Sequence, residues 1–169
     1  MVTRDFEHQL IEAIQPIRHL ALAHGLYQLF ETGLFESLGA TPGVPTEVLA
    51  DRHDLDPVRL LAFLRYLAAE GYLVDVDDTG WRLTARASAL EPFRPWYTLL
   101  VGGYAGTFGQ VGAALRRGAP WADRDGSRVG AGSCGMSAFD AVPMAGSLLR
   151  NLPAGPLTVV DLGLSLIHI

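Results

Sequence analysis

The stretch from Asp56 to Thr84 constrains the fold of this chain more than any other. Asp56 followed by Pro57 is a helix start, with a side-chain oxygen for the free N–H groups and a proline where no N–H is needed. Leu60, Leu61, Leu64, Leu67 and Ala68 then recur at three- and four-residue spacing, which puts them on one inward face. Gly71 after Glu70 is the natural stop. Beyond it "YLVDV" and "WRLT" alternate around "DDTG", the pattern of a β-hairpin. Upstream, "GLFESL" reads as a short helix and "GATPGVP" as a turn. Thr46 is the expected cap of "EVLADRHDL", with Glu47 in its first turn. Three helices followed by two strands make a winged helix.

The N-terminal segment, Thr3 to about Phe30, also has helical spacing. Phe6, Leu10, Ile14, Ile17 and Ala21 form a stripe that Leu20, Leu22, Leu26, Leu29 and Phe30 widen. Pro16 lacks an N–H and crowds the carbonyl of Glu12, so a kink or break is expected there. A helix apolar on so much of its circumference must be buried by something. Two readings stand side by side, a core helix and the seam of a homodimer.

Past the hairpin, Thr84 caps "ARASAL" and "PFRPW" breaks the chain. From Trp96 to Leu115 the sequence carries no charge and is long enough to span a bilayer. Gly102, Gly103, Gly106, Gly109 and Gly112 dilute it, so a buried, closely packed helix is expected and no membrane span. Arg116 and Arg117 suit its last turn, and Gly118 stops it. "ADRDGSRVGAGSCG" reads as a loop, and "SAFDAVPMAGSLLRNL" as a helix capped by Ser137. "LTVVDLG" is the only strand expected outside the hairpin.

Charge narrows the function. The net charge is −5 and the pI near 5.4, against the basic face that a nucleic-acid binder needs. In the winged helix the third helix offers Arg59 and Arg65, while Asp75, Asp77 and Asp78 sit at the wing. Phosphates would repel that wing. A winged-helix transcriptional regulator is the rival from another class, and the electrostatics disfavour it. One cysteine, Cys134, excludes an internal disulfide and a multi-cysteine zinc site. His8, His19, His24 and His53 share no metal-ligand spacing, so no metal is expected. The N-terminus has no signal-peptide pattern, which makes a cytoplasmic protein the default.

A long apolar N-terminal helix, a winged helix without basic character, "RRGAPW" and "VVDLG" occur here in that order. In this the chain resembles the S-adenosylmethionine-dependent methyltransferases that dimerise through a winged-helix domain, the small-molecule O-methyltransferase class. The resemblance covers the family's N-terminal part, as far as Gly163. It implies a mainly α fold with a winged-helix β-hairpin, followed by the first strand of a truncated Rossmann-like α/β domain. The division it implies is a helical dimerisation and winged-helix domain over 1–90, linker helices over 91–155, and the first strand and loop start over 156–163. Residues 164–169, "LSLIHI", are similar to the translation of a sequencing adapter and are read as a non-native tail. The implied cofactor is S-adenosylmethionine. The implied activity of the full-length enzyme is methyl transfer to a small molecule, with a hydroxyl acceptor first and C-methylation of a 2-oxo acid such as 2-ketoarginine second. The fragment itself is expected to be inactive, with the catalytic residues downstream.

By the same resemblance Asp161 closes the strand near the amino-acid end of the cofactor, and Gly163 opens the cofactor loop. Phe139 and Met144 fall where family members line the cofactor pocket, although residues of these types at helical spacing are as often core. Trp96, Tyr97, Tyr104 and Phe108 are the candidate substrate wall; close helix packing explains the neighbouring glycines equally well. Asp140 reads as a solvated helix residue and Cys134 as an inert thiol.

Overall fold

The computed structural model describes residues 4–41, 43–76, 80–152 and 155. It is mainly helical, with one two-stranded antiparallel sheet. The chain divides into two compact units, Met1–Glu91 and Pro92–Ile169.

In the first unit α1 (Arg4–Glu31) is followed by α2 (Leu34–Ala40), α3 (Thr46–His53) and α4 (Pro57–Ala69). The strands β1 (Leu73–Val76) and β2 (Gly80–Leu83) then pair with Leu73 opposite Leu83 and Val76 opposite Gly80. Short α5 (Ala85–Ser88) closes the unit. Several expected local signals are seen directly. The Asp56 carboxylate accepts the Arg59 N–H at the start of α4, and the Thr84 hydroxyl accepts the Ala87 N–H at the start of α5. Gly71 has φ +81°, the left-handed turn that ends α4. The core is built from Leu29, Leu34, Leu38, Leu49, Leu64 and Leu67, all fully buried. The Ser37 hydroxyl and His53 Nε2, 2.8 Å apart, staple α2 to α3.

Of the kink or break expected at Pro16, the break does not occur, because α1 is one helix through it. The hydrogen bond that proline forfeits would have reached the carbonyl of Glu12, which lies on an exposed stretch of the helix where losing that bond costs least. Thr46 does not cap α3; Pro45 holds that position. The Thr46 hydroxyl instead accepts the Trp81 indole N–H at 2.9 Å, because a buried indole needs a partner more than an exposed helix end does. Trp81 also exchanges main-chain hydrogen bonds with Val44. Gly80 makes this possible, since a Cβ there would lie 2.3 Å from the Gly43 carbonyl.

The halves of α1 differ in environment. Leu22, Leu26, Leu29 and Phe30 are core, which answers the first reading of this helix for its second half. Phe6, Leu10, Ile11, Ile14, Ile17 and Leu20 are 45–68% exposed. Between them Arg18 donates twice to the Glu70 carboxylate, at 2.7 and 3.0 Å, and ties α1 to the end of α4.

In the second unit "PFRPW" does not break the chain but turns helically, as a 3-10 turn (Glu91–Phe93) and α6 (Arg94–Trp96). Proline is tolerated in a first turn, where its missing N–H has no role. The uncharged stretch is not one helix. A π-helical segment (Tyr97–Gly103) precedes α7 (Ala105–Ala114), with Tyr104 at the junction. No helix among the described residues is long and apolar enough to cross a membrane. The expected loop contains α8 (Gly126–Met136), started by the Asp125 side chain. The last helix, α9 (Ala141–Arg150), is capped by Asp140 and not by Ser137. The expected strand "LTVVDLG" lies outside the described residues.

The Arg18–Glu70 pair sets an acid dependence. The Arg18 hydrogen bonds hold the Glu70 carboxyl below its usual range. Its contribution is therefore complete above the ordinary carboxylate value of about 4.3 and is lost as pH falls through the lower folded value. The pair is partly exposed, so the effect is small. Thermal unfolding from neutral to acid pH is expected to show a shallower acid loss for Glu70→Gln than for the wild type. Identical acid limbs would overturn this role of the pair.

Candidate functional site

The second unit is organised by a close approach of two backbones. Along α8, Gly132 and Gly135 share a face with Val129, and residues 95–103 lie against it. A Cβ on Gly132 would stand 2.6 Å from the Leu99 nitrogen, and one on Gly135 2.6 Å from the Pro95 ring. From the other side, a Cβ on Gly103 would stand 2.7 Å from Val129. Gly132 and Gly135, expected to lie in a loop, and Gly103, expected in a helix, are what admit the π-helical backbone. Such π-helical turns are frequent at functional sites. The Asp125 carboxyl that starts α8 is held low by the Arg128 main-chain N–H, then by the Arg128 side chain.

At one end of this segment three aromatic rings meet. Trp96 and Phe139 are edge to face at 4.8 Å, Phe93 stacks on Phe139 at 5.9 Å, and Phe93 lies 5.9 Å from Trp96. Phe93 and Phe139 each remain about half exposed. The structure therefore joins one residue expected at the cofactor, Phe139, to one expected at the substrate, Trp96. Phe93 is a member that the sequence reading missed; its signal was the three-residue spacing to Trp96 across "FRPW".

At the other end Tyr104 and Phe108 pair at 6.3 Å, and Arg124 donates to the Tyr104 hydroxyl at 3.3 Å. Tyr97 opens the π-helical segment and is half-buried. Among the substrate candidates, Tyr104 thus pairs with Phe108, while Trp96 meets Phe93 and Phe139. Met144 lies on α9 and is exposed, as is Phe139, so neither is a core residue. Asp161 and Gly163 lie outside the described residues. A cavity of about 90 Å³ beside α7, lined by Gln110, Ala114, Pro120 and Trp121 among others, is smaller than a typical ligand pocket. Among the described residues no group of three His, Cys, Asp or Glu is placed to hold a metal ion. Cys134 is a free, exposed thiol on α8.

Over 158 residues the chain is 52% identical to a 2-ketoarginine methyltransferase of Streptomyces arginensis, covering 94% of this chain and 46% of that protein. The chain is thus similar to about half of a methyltransferase. The solved structure of PigF with SAH shares its fold with a TM-score of 0.62 at 19% identity, over 85% of this chain and 48% of that one. The chain thus spans about half the length of each. No protein-family model matches it.

The α8 seam makes a specific demand on residue size. Gly132→Ala forces the two backbones apart and is expected to cost about 1–3 kcal/mol, as overpacking does. Thermal unfolding measures it. A variant as stable as the wild type would show that the seam is looser than its geometry.

Proposed function

We propose that this chain forms part of an S-adenosylmethionine-dependent methyltransferase acting on a small-molecule acceptor. The identity with the 2-ketoarginine methyltransferase carries the reading, and the fold shared with PigF supports it. The activity is that of a protein of the relatives' full length.

Within the proposal, residues 1–90 are a helical dimerisation domain in which α2, α3, α4 and the hairpin form a winged helix, residues 91–155 are linker helices, and residues 156–163 are assigned to the start of a Rossmann-like domain. The half-exposed face of Phe139 suits the flat, apolar adenine ring of the cofactor. Met144 offers a soft apolar contact, and Asp161 and Gly163 are assigned to the cofactor's amino-acid end and loop. When bound, the cofactor supplies a methyl group on a positively charged sulfur. Trp96, Tyr97, Tyr104 and Phe108 are assigned to the acceptor, where their apolar surfaces exclude water. Because Trp96 touches Phe139, the cofactor face and part of the acceptor face belong to one cluster.

The relative's name favours a 2-oxo acid acceptor of the 2-ketoarginine kind, methylated at carbon, over the hydroxyl acceptor expected first. Transfer of labelled methyl from S-adenosylmethionine to 2-ketoarginine by the full-length protein tests this. Labelled product is expected. A folded protein that binds no S-adenosylmethionine and transfers no label would sink the proposal.

The exposed half of α1 is assigned to a homodimer. Six large apolar side chains on one short stretch exceed what a soluble monomer normally leaves bare, and a two-fold partner is the commonest cover. In sedimentation equilibrium the full-length protein is expected to be dimeric, and the double change Leu10→Asp with Ile14→Asp monomeric. A soluble wild-type monomer at micromolar concentration would exclude this assignment.

A further inference from the structure

The segment 119–125 is tied to the junction of the π-helical segment and α7 at three points. The Thr107 hydroxyl donates to the Asp123 carbonyl at 2.8 Å, and the Asp125 N–H donates to the Gly103 carbonyl at 3.0 Å. The third tie is the Arg124 guanidinium on the Tyr104 hydroxyl, at 3.3 Å. These ties place a cation beside one of the proposed acceptor residues, Tyr104.

That cation is not neutralised. Arg124 forms no ion pair among the described residues. The adjacent Asp125 carboxylate is engaged by Arg128. One of the five guanidinium N–H groups serves Tyr104, and the others are available. The Tyr104 oxygen accepts in this contact, so its own hydrogen is available to donate. Phe108, 60% exposed, lies against the Tyr104 ring and adds an apolar wall. The result is a set of donors beside an aromatic surface, which fits a small organic anion. A planar guanidinium matches a carboxylate with two parallel hydrogen bonds, which a lysine does not.

We infer that Arg124 and Tyr104 bind the carboxylate of the methyl acceptor, a specificity element that rests on the 2-oxo acid acceptor proposed above. Arg124 takes the carboxylate, and Tyr104 orients the guanidinium and adds its own donor. No bond is made or broken at either residue.

The test is steady-state kinetics of the full-length protein with 2-ketoarginine and with its methyl ester, alongside calorimetry with S-adenosylmethionine. Arg124→Met is expected to raise KM for the free acid roughly tenfold or more, as loss of a charge-assisted hydrogen bond does. It should leave kcat and cofactor affinity near the wild type and abolish the preference for acid over ester. Arg124→Lys, which keeps the charge but not the fork, is expected to fall between them. It also decides the matter if the Met variant fails to bind the cofactor. Wild-type KM and acid preference in the variants overturn the inference and leave the acceptor reading intact. A wild type that binds S-adenosylmethionine yet methylates neither acid nor ester overturns the acceptor reading, and this inference with it.

Discussion

The first unit depends on how a single large indole is accommodated. Trp81 is almost wholly buried, and such a ring brings a polar N–H that must be satisfied. Thr46 satisfies it from the first residue of α3. The backbone of Trp81 pairs at the same time with Val76's strand neighbour Asp75 across the sheet and with Val44 on the opposite side. One residue thereby fastens the hairpin, the turn before α3 and α3 itself. Gly80 is the geometric condition for this, because no side chain fits against Gly43.

The second unit relies on a different device, the absence of side chains. Val129, Gly132 and Gly135 present a nearly bare helix face, and the chain from Pro95 to Gly103 settles onto it. Aromatic residues excluded from that contact gather at its two ends, Trp96 with Phe93 and Phe139 at one, Tyr104 with Phe108 at the other. The proposed site thus follows from backbone packing rather than from an enclosed pocket.

What was legible in the residues follows the range of the forces involved. The Asp56 and Thr84 caps and the Gly71 stop are local, so three or four neighbouring residues suffice to reveal them. Thr46 was misjudged because its partner, Trp81, is remote in sequence. The helix α8 was missed because its glycines argue for a loop by intrinsic propensity. Only the facing backbone at Leu99 explains them. In the candidate site, the aromatic residues were legible as types but their grouping was not. Phe139 meets Trp96 across 43 residues of chain, a distance that no periodicity can bridge. Arg124 carried no signal at all, since a lone arginine in a polar stretch reads as solvated surface.

The π-helical segment also sets a rotational phase. An ordinary α-helix turns about 100° per residue, so the wider winding from Tyr97 to Gly103 decides which way everything beyond it points. Restoring regular winding there with the residue count unchanged would swing Tyr104 and Phe108 round the helix axis relative to Trp96, with no change in either aromatic group's own composition. The separation of the two clusters is in this sense a matter of winding. A change of winding in seven residues can re-aim half of the proposed site, whereas deleting one residue together with the wide turn leaves its direction nearly intact.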